Sequence, residues 1–249
     1  MPKSAAAARR PAPAGGEVVP LRAPARGAGA QLPLNELAYA AIKERILSLE
    51  LRPGQFVNEQ ALCALLGLGR MPVHQAVHRL MAEKLLDVLP RKGLVIRADS
   101  LNEVLALLEA RCAVEPNIAA LAAERAAADQ VKAMRKLLAD SRRLVDQRYR
   151  RQFMAFDRAF HQAVAEAAGN SILVDAQRPL HERSARIWAI RVWGPDGLRL
   201  TQREHEAVLD AIGRRDADGA RAAMRSHLEA LGARILEGAE QNGELVPAV

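Results

Sequence analysis

The sequence predicts a mainly α-helical protein, in which an N-terminal winged helix-turn-helix precedes an all-helical bundle of six to seven helices. Half of the 249 residues are apolar but only 3% are aromatic. Ala, Leu and Arg dominate, and these residues lose little freedom on entering a helix. From Leu34 onward apolar residues recur at helical spacing, punctuated by turn residues. Two β-like runs, Leu86–Leu89 and Leu94–Arg97, are joined by Pro90-Arg91-Lys92-Gly93, so a basic hairpin follows the first three helices.

Residues 1–33 are Ala, Pro, Gly and Arg without an apolar period, and are read as a disordered basic tail. The head, 34–98, opens with a helix whose stripe is Leu37, Ala40, Ala41, Ile42, Ile46, Leu47 and Leu49, broken by Arg52-Pro53-Gly54. Asn58 caps a second helix with Ala61, Leu62, Leu65 and Leu66 inward. After Gly67 and Gly69 a third helix runs from about Met71 to Lys84, burying Val73, Ala76, Val77, Leu80 and Met81. The second domain, 99–240, begins with a helix capped by Asp99 or Ser100. Further helices are expected near 129–147, 150–167, 171–191, 198–213 and 217–239, with a C-terminal tail at 241–249.

The formal charge of +7 and pI near 10 suit a polyanionic partner. Cys63 and Cys112 have no C-x-x-C spacing and read as buried free thiols of a reducing compartment. No run of about 18 apolar residues crosses a membrane, and no secretory signal is evident, so a cytoplasmic location is expected.

In a helix-turn-helix the start of the third helix meets base edges in the major groove. That position holds Arg70, Met71, His74 and Gln75, with Arg79 further along. Arg70 suits a bidentate contact to guanine and Gln75 one to adenine, while Arg91 and Lys92 at the hairpin tip suit backbone or minor groove. The same stretch resembles the winged-helix head of GntR-type regulators. The markers are Leu51-Arg52-Pro53-Gly54, Asn58-Glu59-Gln60-Ala61-Leu62, Arg70-Met71-Pro72-Val73, Arg79-Leu80 and Pro90-Arg91-Lys92-Gly93-Leu94-Val95. It departs from the family pattern at Gln60, Gly69, Met71 and His74-Gln75, which implies a footprint with fewer Arg–guanine pairs.

In the second domain, Asp157, His161, His205 and His227 each fall on or beside the apolar face of a helix. A lone inward histidine is more often a hydrogen-bonded core residue. Four such groups, two of them at i, i+4, are read as ligands of a divalent ion: zinc first, with nickel, manganese, cobalt or iron as the other candidates. Arg111 and Glu115 also point inward, either as a clamp for a carboxylate ligand or as an internal ion pair.

This half resembles the FCD domain of the FadR-like branch of GntR regulators. The markers are Glu109-Ala110-Arg111 with Glu115, Asp157-x-x-Phe160-His161, Gly169-Asn170, Glu204-His205, Met224 and His227-Leu228. The resemblance implies a metal held by Asp157, His161, His205 and His227, and a small organic acid bound beside it. Arg111, Glu115 and Asn170 are the candidate effector-binding residues. It also implies a homodimer on a palindromic double-stranded DNA operator. The expected function is a ligand-responsive transcriptional repressor, and not an enzyme. The rivals are a metal-dependent enzyme, for which no general base with an oxyanion-stabilising loop is evident, and a constitutive dimeric DNA binder.

Overall fold

The computed structural model describes residues 32–146, 150–191 and 195–241. The tails expected at 1–33 and 241–249 fall outside the described residues except at 32, 33 and 241. The fold is the winged helix-turn-helix plus helical bundle that the pattern predicts.

The head consists of α1 (Leu34–Leu47), β1 (Phe56–Val57), α2 (Glu59–Leu66), α3 (Arg70–Ala82), β2 (Leu86–Leu89) and β3 (Gly93–Ile96). The inward stripe of α1 is Ala38, Ile42 and Ile46 at i, i+4 spacing, with Leu47. Leu37 and Ala40, expected inside, are exposed, because they lie a quarter-turn or more from that line. Ala61 is exposed as well, and Leu62 is the buried residue of α2. Asn58 Oδ1 accepts from Ala61 N at 2.7 Å, and Gly67 ends α2 at φ +64°, a conformation that costs glycine least. Val73, Ala76, Val77 and Leu80 of α3 join α1 and the sheet in one apolar core. The antiparallel sheet has the order β1-β3-β2. Its two-residue edge β1, paired Phe56 to Val95 and Val57 to Leu94, is an addition to the predicted hairpin.

The bundle consists of α4 (Leu101–Arg125), α5 (Ala128–Asp146), α6 (Arg150–Ala167), α7 (Ser171–Arg191), α8 (Pro195–Gly213) and α9 (Ala217–Gln241). Ser100 and Glu103 form a capping box that starts α4. Pro195 opens α8 three residues earlier than expected, at a position where a missing N–H costs nothing. Central α4 packs against α6, α7, α8 and α9 around a second apolar core of its own. The cysteines are free but only half-buried.

Polar contacts join head and bundle. Asp99, with its side chain 1% exposed, accepts from Arg183 at 2.5 Å and from Arg186 at 2.9 Å, both on α7. Lys43 of α1 reaches Glu182 of α7 at 2.7 Å, and Arg158 of α6 reaches Glu44 at 3.1 Å.

Candidate metal centre and nucleic-acid interface

Asp157 and His161 stand one turn apart on α6, with His205 on α8 and His227 on α9. The structure brings the four sequence-predicted residues into two adjoining triads that share His161, and adds His181 from α7 to the one that holds Asp157. Residual exposures of the five run from 1% to 7%. Ring centroids of His161, His205 and His227 are 4.8 to 5.4 Å apart, and one nitrogen from each lies within 4.8 Å of the others. Asp157 Oδ1 is 3.5 Å from His205 Nε2, and Oδ2 is 3.2 Å from His181 Nε2.

The partners on the far side of the rings decide what the site can do. His161 Nδ1 lies 2.8 Å from Glu115 Oε2, and His227 Nδ1 lies 2.8 Å from Glu204 Oε2. A carboxylate facing Nδ1 assigns the proton there, leaving the Nε2 lone pair to face the interior. The Nε2 atoms of His161, His181, His205 and His227 are all buried without a hydrogen-bond partner. Each such atom costs about 1–3 kcal/mol of lost hydration, and they fall in two triads of donors, His161/His205/His227 and Asp157/His161/His181, that share His161. A divalent cation fits this donor set, and Glu115 and Glu204 stand where outer carboxylates would fix the imidazoles of His161 and His227 for it.

The electrostatics agree with that arrangement. Burial pushes His161, His205 and His227 below the ordinary imidazole range, and for His205 the neighbouring rings add to it. Burial alone would raise the carboxyls of Asp157 and Glu115. The imidazoles of His181, His161 and His205 hold Asp157 well below its ordinary value, and Arg111 with His161 does the same for Glu115. Ionised carboxylates beside neutral imidazoles are the protonation states that a metal requires.

The three residues assigned to an effector separate. Arg111 Nε and Nη2 donate to Glu115 at 2.5 and 3.1 Å, and Nη1 donates to Ser184 Oγ at 2.9 Å. Glu115 thus orients His161, and Arg111 holds Glu115. Asn170 is not brought to the cluster. Its Oδ1 accepts from the backbone N–H groups of Ile172 and Leu173 at 3.1 and 3.3 Å. It caps α7 about 16 Å along the helix from His181.

His181 escaped the sequence reading because the inward side of α7 is polar. Gln177, His181 and Ser184 are buried at i, i+4 and i+7, so no apolar period marks that face. The repeat of polar residues at helical spacing is the signal that could have found it.

In the head, the start of α3 is open: the Arg70 side chain is 87% exposed and Met71 64%. Gln75 is exposed beside them, and Arg91 and Lys92 are exposed at the wing tip, where Arg91 adopts φ +65°. His74 is half-buried, its Nδ1 2.7 Å from Glu59 Oε1. Arg79 turns back into the head, donating to Glu36 at 2.9 Å and stacking 3.6 Å from the Tyr39 ring centroid.

Comparison with known proteins agrees with both halves. The gntR family of bacterial regulatory proteins matches residues 29–96, and the FCD domain matches residues 106–230. A Streptomyces ambofaciens protein, an uncharacterized HTH-type transcriptional regulator in an unstable DNA locus, is 29% identical, covering 78% of this chain and 81% of that one. The Escherichia coli HTH-type transcriptional repressor RspR is 22% identical, covering 85% of this chain and 93% of its own. The E. coli McbR/YncC structure shares the fold at a TM-score of 0.76 and 20% identity, covering 83% of this chain and 99% of that one. This chain is therefore a DNA-binding transcriptional regulator of the GntR family whose helical half is an FCD domain.

Proposed function

We propose that this regulator is a homodimeric repressor that senses a small organic acid at a divalent metal site and answers by changing its affinity for a palindromic operator. The head, 34–98, reads DNA and the helical domain, 99–240, senses and dimerises. The observation that carries the reading is the cluster of four buried imidazole Nε2 atoms without a hydrogen-bond partner, two of them 3.2 and 3.5 Å from Asp157. Asp157, His161, His205 and His227 hold the ion, which is zinc or one of nickel, manganese, cobalt and iron. When bound, it supplies a Lewis-acidic position for an effector carboxylate.

The protein's own groups do the rest. Glu115 and Glu204 fix the imidazole tautomers, and Arg111 and Ser184 hold Glu115. Arg111 stands one carboxylate away from the cluster, where it can exchange Glu115 for an effector carboxylate. A cleft of about 290 Å³ between α6 and α7, lined by Arg158, Gln177, Arg178 and His181, reaches the edge of the cluster and supports access for a small acid. Arg70, Met71, Gln75, Arg91 and Lys92 form the DNA-facing set, with His74 held by Glu59 beside them. The repressor sense rests on the similarity to RspR.

The test is to purify the protein without chelator, measure its metal content, and titrate operator DNA with and without a panel of small carboxylates. One equivalent of metal per chain and acid-dependent operator affinity are expected. A metal-free protein whose DNA binding ignores every acid would overturn the proposal, leaving a constitutive binder.

A further inference from the structure

His181 is the one imidazole of the cluster outside the four ligands just proposed. Its ring is 3% exposed, its centroid is 4.4 Å from that of His161, and one ligand atom each from Asp157, His161 and His181 fall within 4.8 Å of one another. Its Nε2 faces Asp157 Oδ2 at 3.2 Å without hydrogen-bond geometry. Two donors bonded to one ion at about 2.1 Å stand roughly 3.0 Å apart at right angles and roughly 3.4 Å apart at the tetrahedral angle. The separations from Asp157 to His181, 3.2 Å, and to His205, 3.5 Å, are of that size. Asp157 therefore faces one imidazole on α7 and one on α8, and the donors form two triads, His161/His205/His227 and Asp157/His161/His181, joined through His161.

The residues that follow His181 give this a consequence. Within six positions on α7, Glu182 pairs with Lys43 of α1, Ser184 accepts from Arg111, and Arg183 and Arg186 clasp Asp99 in the link between head and bundle. Arg186 also donates to the Arg97 carbonyl at 3.3 Å. Pro179, two residues before His181, removes one helical hydrogen bond and weakens this turn. One short stretch of helix thus touches the metal site on one side and the head on the other.

We propose that His181 is a fifth protein ligand of the metal, and that through it α7 couples occupancy of the site to the position of the DNA-binding head. The inference rests on the metal reading above. One aspartate and four imidazoles favour a five- or six-coordinate ion and leave a single position open, so an effector carboxylate binds there through one oxygen.

Cobalt(II) is the probe. X-ray absorption on the cobalt-loaded wild type should count four imidazoles, and its visible spectrum should be the weak one of five- or six-coordination. His181→Gln should bind cobalt 10- to 100-fold more weakly, with the stronger bands of lower coordination, and His181→Glu should restore affinity. Cobalt should slow hydrogen exchange in α1 and at 97–100 in the wild type but not in His181→Gln. If the wild type takes up no cobalt, the metal reading itself fails. If His205→Gln loses the metal while His181→Gln keeps wild-type affinity and spectrum, His181 is no ligand and this inference alone is overturned. Should the His181 variants not fold, a wild-type count of three imidazoles overturns it and a count of four upholds the ligation.

Discussion

Replacing Glu115 by glutamine removes one charge from a site with almost no access to water. Arg111 and Glu115 are 1% and 2% exposed, and Glu115 is the acceptor for two guanidinium hydrogen bonds and faces His161 Nδ1. Breaking a buried pair by neutralising one partner strands the other charge, at a cost of about 3–5 kcal/mol. For a protein of this size each kcal/mol lowers the melting temperature by about 2–4 °C, so Glu115→Gln should melt roughly 6–20 °C below the wild type. Calorimetry in chelator isolates this effect from metal binding. Glutamine can also leave His161 in either tautomer, so zinc affinity measured by competition titration should fall about 10- to 100-fold. The double variant Arg111→Met/Glu115→Leu removes both charges together and should recover most of the stability. It should not recover the metal affinity, because His161 still lacks its acceptor. A Glu115→Gln protein within about 1 kcal/mol of wild type, with unchanged zinc affinity, would refute the reasoning for both roles.

Five further substitutions probe the rest of the molecule. Arg70→Ala, at the open start of α3, should weaken operator binding by about 1–3 kcal/mol at fixed salt without lowering the melting temperature. Arg79→Ala should instead leave DNA affinity nearly unchanged and cost about 0.5–1 kcal/mol of stability from its Tyr39 and Glu36 contacts, as fluorescence anisotropy and thermal melts can separate. Ser100→Ala breaks the capping box of α4 and should cost about 1 kcal/mol at pH 7. Contacts with Ser100 and Arg97 lower the Glu103 pKa to about 2, so its contribution is fully present above pH ~4.5 and disappears as pH falls towards 2. In Glu103→Gln, denaturant midpoints between those values should depend less on pH than in the wild type. Gly93→Ala places a side chain at φ +91° with its Cβ 3.2 Å from the Val57 carbonyl, and should speed hydrogen exchange in the wing while leaving α4 to α9 protected.

Most helices of the bundle were legible from their repeating apolar faces, and α7, whose inward side is polar, from the Gly169-Asn170 and Gly194-Pro195 breaks that bound it. The predicted limits of α6 and α7 coincide with the observed ones, 150–167 and 171–191. Short features were not legible. The two residues of β1 owe their conformation to pairing with β3, a partner nearly 40 residues away, and nothing local marks them as a strand. The inward direction of the ligands followed from the apolar residues around His205 and His227, whereas His181 has polar neighbours along its own face. Glu204 shows the same limit. It lies next to His205 in sequence but faces His227 and Arg234 on another helix, and only the packing of α8 on α9 reveals it.

The depth of the cluster governs how fast it can respond as well as how tightly it binds. Its side chains lie within the layers of α6 to α9, with Phe160 stacked 4.5 Å from His205, and the cleft between α6 and α7 meets the cluster only at His181. An ion held on the deeper side, by His205 and His227, would exchange through excursions of the bundle, on the slow timescale of local opening. Under the proposed function such an ion would be a resident part of the protein on the timescale of a changing metabolite supply, and the small acid would be the variable read.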